Sequence, residues 1–429
     1  MVIIKNISSL LTVIILIIRL NIQNDYISIN LGGIMKIKNY EIMHCNAGWR
    51  DFSFLRIITD EGITGIAEYN ECYGSPGLSM IIRKFMDKII NHDPICHEKI
   101  HQFLYASSRQ APGGIAQQAI AAIENALLDI KGKYLNVSVH TLLGGAIRDR
   151  LPLYWSHCGT YRISEELSKI MEKPQVKTLE DLKQLGKDVK DAGYKGLKTN
   201  IFTFEETPIL EMQGFAGKPG WPELNVDNHI IDSLLKQIDA LRSGAGNSMG
   251  IHLDLNFNFK TEGYLQITRA LDDLKLTWFE IDLYHPEGLR RIRDANKTPI
   301  ASCESLFGIR EFRPFFENAS MDVAIIDIPW NGIWLGMKIA AMAEAYETNV
   351  APHNFYGNLS TLMSAHFCAA VPNFRVMEID PDDVPWKDDI LTWKPEIIDG
   401  DLIVPNQPGW GAELNEEIFK EHPPKFIKE

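Results

Sequence analysis

Two kinds of hydrophobic pattern divide the chain. Between residues 36 and 68, apolar and polar residues alternate in two runs, 52–58 and 62–68, which are separated by Asp60-Glu61-Gly62. This alternation predicts an antiparallel hairpin or small meander. Between residues 113 and 135, apolar residues recur three and four positions apart, which predicts a helix with one broad buried face. A sheet followed by helices indicates an α+β domain, residues 35–150.

After Leu151 the pattern changes to a repeated short apolar run, loop and helix, which is typical of parallel β/α units. Eight such runs predict a TIM-type (β/α) barrel over residues 151–380, with residues 381–429 returning to the first domain. The predicted strands are Leu151–Trp155, Gly196–Asn200, Gly250–Asp254, Thr277–Glu280, Pro299–Glu304, Val323–Asp327, Asn349–His353 and Phe374–Glu378.

One connection, from Asn200 to Gly250, is much longer than the others and contains a helical pattern from Ile230 to Leu241. Long excursions at the strand ends of a barrel usually act as lids or specificity loops, although an insertion that only covers the surface is the alternative.

The N-terminus has an aliphatic run, Leu10–Ile18, that resembles the core of a signal peptide. The run is too short to span a bilayer, and no Ala-x-Ala-like cleavage site follows it. A globular pattern begins only at Met35, so we expect residues 1–34 to be a non-native or unstructured extension from an over-extended translation start. Peptides from before Met35 in the native protein, detected by mass spectrometry, would reject this hypothesis.

Composition narrows the functional classes. The 429 residues are 45% hydrophobic and 23% charged, as in ordinary globular proteins, and the net charge is −13. This charge argues against binding to nucleic acid or to an anionic membrane surface. The six cysteines form no Cys-x-x-Cys pair, so we expect reduced, mostly buried thiols in a cytoplasmic protein. A closed homo-oligomer is the prior expectation for a large metabolic enzyme.

Three carboxylates, Asp254, Glu280 and Glu304, stand at the ends of successive predicted strands, 26 and 24 residues apart. That spacing fits one strand, one helix and two loops, so each strand directs one acid towards a shared point. Converging oxygen ligands suit Mg²⁺ better than zinc, which favours His and Cys.

With these acids, the chain resembles the enolase superfamily and, within it, the mandelate racemase/muconate lactonizing enzyme-like group of sugar-acid dehydratases and racemases. The resemblance covers residues 36–420. It implies that Asp254, in an Asp-x-Asn form with Asn256, binds Mg²⁺ together with Glu280 and Glu304.

The later strands extend the resemblance. Asp327 and His353 match the family's Asp–His dyad, and the second of them begins the run His-Asn-Phe-Tyr-Gly that follows Pro352. Glu378 matches an eighth-strand acid that hydrogen-bonds the reacting carboxylate, for which it would have to be protonated. Lys198 matches the first lysine of a second-strand Lys-x-Lys motif.

The chain departs from the family at the second lysine of that motif, where it has Asn200. Alternate residues of a strand face the same side, so Lys198 and Asn200 point together whereas Lys195 points away and cannot replace the missing base. In addition, Ile281 follows Glu280 where many relatives have a second Glu.

The chemistry that this constellation predicts is abstraction of the α-proton of a carboxylate. A divalent ion on the carboxylate oxygens stabilises the enediolate, and His353, oriented by Asp327, is the base. With Asn200 on the other face, we favour syn elimination of water from an aldonic or aldaric acid, giving a 2-keto-3-deoxy acid. The alternatives are a racemase or epimerase with a second acid from elsewhere, a non-catalytic barrel that binds metal and sugar acid, and a barrel with unrelated chemistry.

Substrate contacts are expected from Asn200 and Asn256 and from two loops of the first domain, Met43–Asp51 and Asn70–Gly77. In those loops Trp49, Arg50 and Tyr73 are the candidates, although each is also a plausible packing residue. Further candidates near other strand ends are His157, Arg162, His285 and Trp330.

Overall fold

The structure is a computed structural model that describes residues 35–204, 208–212 and 225–427. It begins with a three-stranded antiparallel meander, β1 (Ile37–Asn46), β2 (Asp51–Thr59) and β3 (Thr64–Tyr69), in which β2 is central. The predicted meander is therefore confirmed. Four helices follow it: α1 (Leu78–Ile89), α2 (His97–Ser107), α3 (Gly114–Leu135) and α4 (Val139–Leu142).

The three strands and four helices form the first domain, which we call the capping domain. Helix α3 is its centre. It packs against β3 and α1, and its apolar positions, including Ile123, Leu127 and Ile130, are buried. The helix ends where Asn136 adopts the left-handed conformation (φ 54°), a common way to terminate a helix.

A ring of eight parallel strands follows the capping domain. In sequence order each strand pairs with the next, the eighth pairs with the first, and a bridge between Val350 and Phe374 joins the seventh to the eighth. The predicted TIM barrel is therefore confirmed, and the observed strands lie within about three residues of the predicted bounds. The barrel strands are β4 (Arg150–Trp155), β5 (Gly196–Thr199), β8 (Gly250–Asp254), β9 (Trp278–Glu280), β10 (Ile300–Ser302), β11 (Val323–Asp327), β12 (Asn349–His353) and β13 (Met377–Ile379).

Helices cover the outside of the ring, and apolar residues facing them, such as Leu253 and Phe279, belong to the main hydrophobic core. Alternate residues point into the ring, where Tyr154, Trp278 and Ile325 belong to a second, smaller apolar cluster. This cluster fills the barrel interior below the strand ends, as is usual for the fold. The outer helices are α5 (Glu165–Ile170), α6 (Leu179–Asp191), α7 (Asn228–Ala245), α8 (Thr261–Leu271), α9 (Pro286–Asp294), α10 (Gly308–Glu317), α11 (Ile328–Asn331), α12 (Ile333–Ala345) and α13 (Asn358–Ala370).

The long second connection contains a short hairpin, β6 (Phe202–Phe204) and β7 (Pro208–Leu210), before α7. Residues 205–207 and 213–224 of the predicted lid or specificity loop lie outside the described residues. The predicted extension, residues 1–34, lies outside them too.

The C-terminal segment contacts both domains. Its hairpin, β14 (Ile397–Ile398) and β15 (Asp401–Ile403), adds antiparallel to β4. Trp410 is fully buried against the capping domain, where its indole N–H donates to the carbonyl of Ile66. The segment also contains a 3-10 turn, Lys387–Asp389, and a last helix, α14 (Glu416–Glu421).

All six cysteines lie in the described part of the chain as free thiols, and four of them are buried. No described helix has the length and apolar character that crossing a membrane requires.

Candidate active site

The predicted metal ligands come together at the ends of β8, β9 and β10. Asp254 and Glu280 are neighbours in the strand register, and Ala301 of β10 pairs with Glu280 on its other side. Glu304 follows β10 by two residues, after Cys303 has turned the backbone with a positive φ of 88°. All three carboxylates therefore border the same mouth of the barrel.

Lys198 lies among these acids. Its ammonium nitrogen is 2.8 Å from Glu378, 3.0 Å from Glu280 and 3.5 Å from Asp254, and its side chain is 2% exposed. The charges of the three acids raise the pKa of Lys198 well above its usual value, although burial acts in the opposite direction. Lys195 is confirmed to point away, since it pairs with Asp401 on the outside of the barrel.

The acids outnumber the cations at this mouth. Burial raises the pKa of Glu280 to about 8, and the charges of Asp254 and Glu378 add to this effect while Lys198 opposes it. Burial and the neighbouring Glu304 also raise the pKa of Asp282 well above its usual value. A cluster with such an excess of buried negative charge favours binding a cation.

The fit of these residues to Mg²⁺ depends on their grouping and on their donor atoms. Within the described residues, no three His, Cys, Asp or Glu side chains are grouped to hold an ion, and Lys198 contacts both Asp254 and Glu280. The donors are nevertheless all carboxylate oxygens, and both side-chain oxygens of the buried Asp282 lack a hydrogen-bond partner among the described residues. The chemistry of this donor set fits a hard divalent cation.

The predicted dyad is present. Asp327 and His353 are paired in the register of β11 and β12, and Nδ1 of His353 is 2.6 Å from Oδ2 of Asp327. The Nε2 atom of His353 lies 3.6 Å from Glu304. Although burial alone would lower it, the Glu304 and Asp327 charges raise the pKa of His353 to about 10.

Glu378 differs from the sequence-based expectation of a protonated acid, which is wrong for this structure. One of its oxygens accepts from the Ser156 hydroxyl and pairs with Lys198, and the other accepts from the backbone N–H of Asn354 at 2.7 Å. Burial alone would raise its pKa, but the charges of Lys198 and His353 lower it to about 2. Glu378 is therefore a carboxylate that anchors Lys198.

Asn200 and Asn256 lie side by side near the same mouth. The carboxamide oxygen of Asn200 accepts from Thr160 at 2.6 Å, and its nitrogen donates to the side chain of Asn256 at 3.2 Å. The backbone N–H of Asn256 in turn donates to Asp254 at 2.9 Å. The side chain that replaces the second lysine is thus a neutral group held between two hydrogen bonds.

The first capping-domain loop reaches the barrel mouth through Arg50. This residue is 2% exposed, and its guanidinium donates to Asp383 at 2.7 Å and to the carbonyl of Phe355 at 2.6 Å. Phe355 is two residues after His353, and their rings lie 5.1 Å apart. Arg50 therefore holds the capping loop against the strand that carries the dyad histidine.

The two aromatic candidates of these loops lie beside each other. The Trp49 ring packs on Tyr161 at 4.9 Å, and the Tyr73 hydroxyl donates to the Trp49 carbonyl at 3.2 Å. Tyr73 also lies 6.4 Å from the ring of Phe355. Both residues are half-buried at the roof of the mouth.

Of the four further candidates for substrate contact, Trp330 lies against the dyad. Trp330 packs 5.5 Å from the ring of His353, and its backbone N–H donates to Asp327. Arg162 makes two hydrogen bonds to Asp382. His157 contacts Asp380 at 3.2 Å, whereas His285 is the exposed N-cap of α9 and pairs with Glu287.

Three residues that sequence reasoning missed complete the arrangement. The Tyr356 hydroxyl donates to Oδ2 of Asp327 at 2.5 Å, the atom that His353 also contacts. Ser156 donates to Glu378, and Asp282 adds a further carboxylate. A signal existed for Asp282, since it stands two residues after Glu280 and so faces the same side as Glu280.

Comparisons with known proteins agree with this architecture. A family model described as enolase C-terminal domain-like matches residues 181–418. The model of the mandelate racemase / muconate lactonizing enzyme N-terminal domain matches residues 41–144.

Two of the relatives found are named as sugar-acid dehydratases. The chain is 25% identical over 374 residues to D-xylonate dehydratase of Haloferax volcanii, covering 86% of this chain and 84% of the relative. It is 26% identical over 414 residues to D-galactonate dehydratase of Xanthomonas euvesicatoria, covering 91% and 96%.

Among solved structures, a protein of Burkholderia xenovorans strain LB400 that is provisionally named an L-alanine-DL-glutamate epimerase is 46% identical. The match covers 91% of this chain and 99% of that one, with a TM-score of 0.88. A structure of the same name was solved bound to magnesium and fumarate. Because both family models match in chain order and span the barrel and its cap, this protein is an enzyme of the enolase superfamily, in the mandelate racemase/muconate lactonizing enzyme-like group.

Proposed function

We propose that this protein is a magnesium-dependent dehydratase that converts an aldonic or aldaric acid to its 2-keto-3-deoxy acid. One observation carries the proposal: the two sides of the mouth are chemically unequal. Nδ1 of His353 and Oδ2 of Asp327 form a complete dyad, 2.6 Å apart. On the second strand, Lys198 is held by Glu378 and Glu280, and the position of the second lysine is the neutral Asn200. One base suffices for a syn elimination, while racemisation usually needs a second acid or base on the other face.

The residues that would hold the ion are the predicted ligands Asp254, Glu280 and Glu304. When bound, Mg²⁺ would offset the negative charge that develops on the substrate carboxylate as the α-proton leaves. Glu304 is also the strongest of the groups that raise the pKa of His353. Neutralising its charge therefore brings the pKa of His353 towards the range in which a base operates near neutral pH.

The proton transfers can be written for His353. Its Nδ1 atom contacts Asp327, so Nε2 is the nitrogen available to take the α-proton. The electron pair of the broken C–H bond forms the carbon–carbon double bond of the enediolate. Collapse of the enediolate expels the β-hydroxyl, which takes the same proton from His353 and leaves as water. The enol that remains tautomerises to the 2-keto-3-deoxy acid.

Lys198 supplies positive charge at the substrate carboxylate in this proposal. Glu378 and Glu280 fix its ammonium in place, at 2.8 and 3.0 Å. A buried ammonium held by two carboxylates is preorganised, so it needs little rearrangement as charge develops on the substrate.

The proposal has support from the relatives named D-xylonate and D-galactonate dehydratase. A second candidate, racemisation or epimerisation of a 2-hydroxy acid or related substrate, has support from the 46% identical protein with the provisional epimerase name. The partner in either case is a small carboxylic acid.

A panel of aldonic and aldaric acids, incubated with the protein and Mg²⁺ in D₂O and followed by NMR, separates these functions. Loss of the β-hydroxyl with a keto product supports the dehydratase. Deuterium at the α-carbon with inverted configuration and no dehydration would instead establish the epimerase. Binding of a sugar acid with neither change would indicate that the protein is a non-catalytic barrel that only binds the acid.

The base assignment has its own control in the same experiment. We expect His353→Asn to lose at least about a hundredfold in α-proton exchange, because general base catalysis contributes at least that much. The exposed His92 gives a matched variant, His92→Asn, that should behave as wild type. Equal exchange by wild type and His353→Asn would show that another group is the base.

A further inference from the structure

Asp282 is a buried carboxylate without an assigned role. It is 3% exposed, and neither of its side-chain oxygens has a hydrogen-bond partner among the described residues. Buried charges in proteins are normally paired, hydrogen-bonded or bound to a metal. The position of Asp282 therefore suggests a partner that is a cation.

The direction of the Asp282 side chain follows from the strand before it. Trp278 points into the barrel, where its ring packs on His252 at 4.1 Å, and Glu280 points to Lys198. Phe279 and Ile281 face the other way, into the main core around the ring. Asp282 stands two residues after Glu280 and four after Trp278, so it faces the same side as they do. It therefore faces the barrel mouth, beyond Glu280 along the chain direction.

Backbone hydrogen bonds fix the height of Asp282 between two predicted ligands. Its N–H donates to the carbonyl of Asn256, two residues after Asp254, at 3.2 Å. On the other side, Ile281 N–H donates to Ala301 at 3.0 Å, three residues before Glu304. Asp282 thus lies between the chain segments that carry Asp254 and Glu304.

Glu280 provides a contrast. One of its oxygens is 3.0 Å from Lys198, and the other accepts from the Trp278 indole N–H at 3.0 Å. Both oxygens of Glu280 are therefore satisfied by the protein, whereas both oxygens of Asp282 are not. We propose that Asp282 is a further direct ligand of the divalent ion bound at this mouth, in addition to Asp254, Glu280 and Glu304.

This inference rests on the proposed function only in that the mouth takes a divalent ion. The first test measures binding of Mn²⁺ alone to chelator-treated full-length protein, by calorimetry and by the loss of the free-ion electron paramagnetic resonance signal. We expect Asp282→Asn, which keeps the size of the side chain, to weaken Mn²⁺ binding at least about tenfold. The exposed Asp273, paired with Lys297, gives the matched variant Asp273→Asn, which should bind as wild type does.

The second test separates a direct ligand from a group that acts through another residue. In a Cys303→Ser background, Asp282→Cys should show a new ultraviolet thiolate-to-metal absorption on addition of Cd²⁺, and Mg²⁺ should compete it away. The Cys303→Ser protein alone is the control for the other thiols. Weakened Mn²⁺ binding by Asp282→Asn without this absorption would overturn direct ligation.

The outcomes distinguish this inference from the proposed function. If wild type takes up no Mn²⁺, the magnesium-dependent function is wrong and this inference is wrong with it. If wild type binds and Asp282→Asn binds equally well, only the assignment of Asp282 is wrong.

Discussion

At the scale of single residues, hydrogen bonds determine what each charged group can do. Asp327 accepts from three donors, which are the His353 ring, the Tyr356 hydroxyl and the Trp330 backbone N–H. The resemblance to the enolase superfamily implies the Asp–His pair, and the two residues end strands that the structure pairs. Tyr356 was not predictable in the same way, since its partner depends on the turn after β12 and on the rotamer of the ring.

Replacing Tyr356 by Phe should change the pH dependence of the reaction. Without the tyrosine hydroxyl, Asp327 is a stronger partner for the His353 imidazolium, so the pKa of His353 rises. A hydrogen bond worth about 1 kcal/mol corresponds to roughly 0.7 pH unit, and the acidic limb of kcat/KM should move upwards by about that amount. The exposed Tyr284 provides a control, Tyr284→Phe. Superimposable profiles for wild type and Tyr356→Phe would contradict a coupling between this hydroxyl and the base.

Lys198 should contribute most to the stability of the folded protein when no metal is present. Removing one partner of a buried ion pair leaves the other charge uncompensated, so Lys198→Met should lower the free energy of unfolding of the chelated protein by about 3–5 kcal/mol. Mg²⁺ should restore part of that loss, because it supplies positive charge to the same acids. Urea unfolding with and without Mg²⁺ measures both effects, and equal losses in the two conditions would argue against a shared set of acids.

At the scale of elements, the capping domain supplies the caps of two barrel helices. Helices α12 and α13 begin after Gly332 and Gly357, which have no side chain to cap them. Glu124 of α3 accepts from the N–H groups of Trp334 and Leu335, at 3.0 and 3.4 Å.

Glu68 of β3 does the same for α13, accepting from Gly357 and Ser360 at 2.6 and 2.8 Å. A larger residue at either helix start would displace the capping carboxylate, because an added Cβ would lie 2.3 Å from Glu124 at Gly332 and 2.8 Å from Glu68 at Gly357. Helix α13 is the next element after the His353 strand, and α12 follows the Asp327 strand after the short helix α11. The capping domain therefore also supports the strands that carry the dyad.

Replacing Glu124 by Gln tests this arrangement. The amide cannot accept from the α12 N–H groups and contact His101 in the way the carboxylate does, and it loses the favourable charge at a helix N-terminus. We expect the free energy of unfolding to fall by about 1–2 kcal/mol. Glu98 is the matched control, because its bridge from the same domain to Lys338 is solvent-exposed and should contribute less than about 1 kcal/mol. A loss in Glu98→Gln as large as in Glu124→Gln would mean that the helix cap has no special role.

Sequence patterns predicted the bounds of the barrel strands better than they predicted the contacts between side chains. Val323–Asp327 and Asn349–His353 have the predicted bounds, since each has apolar residues before a polar residue at the strand end. The eighth strand begins later than predicted, at Met377, because Phe374 forms only an isolated bridge. The caps provided by Glu68 and Glu124 were not predictable, because they join residues more than two hundred positions apart and leave no local pattern.

At the scale of the whole molecule, the C-terminal segment joins the capping domain to the barrel. His366 of α13 marks this junction: its Nδ1 accepts from the backbone N–H of His140, and its Nε2–H donates to the carbonyl of Trp410, at 3.1 and 3.2 Å. Burial lowers the pKa of His366 to about 3, so the ring is neutral in the folded protein.

The stability of the molecule should therefore decrease in acid because of His366. Its pKa is lower in the folded than in the unfolded state, so its contribution is complete above about pH 6.5 and is lost as the pH falls towards 3. Between pH 6.5 and 4.5 this amounts to about 2 kcal/mol. Urea midpoints measured across this range should fall less steeply for His366→Gln than for wild type. The surface residue His229 provides the control, His229→Gln, and identical slopes in all three proteins would rule out His366 as the source.

The caps that Glu68 and Glu124 provide also limit how this protein can be recombined. Capping domains carry the loops over the mouth, so exchanging them between relatives is an obvious route to new substrate preferences. A donor domain without acids at these two positions would leave the starts of α12 and α13 uncapped and the dyad strands poorly supported. Successful chimeras should therefore be those that transplant the loops Met43–Asp51 and Asn70–Gly77 while keeping the recipient's β3 and α3.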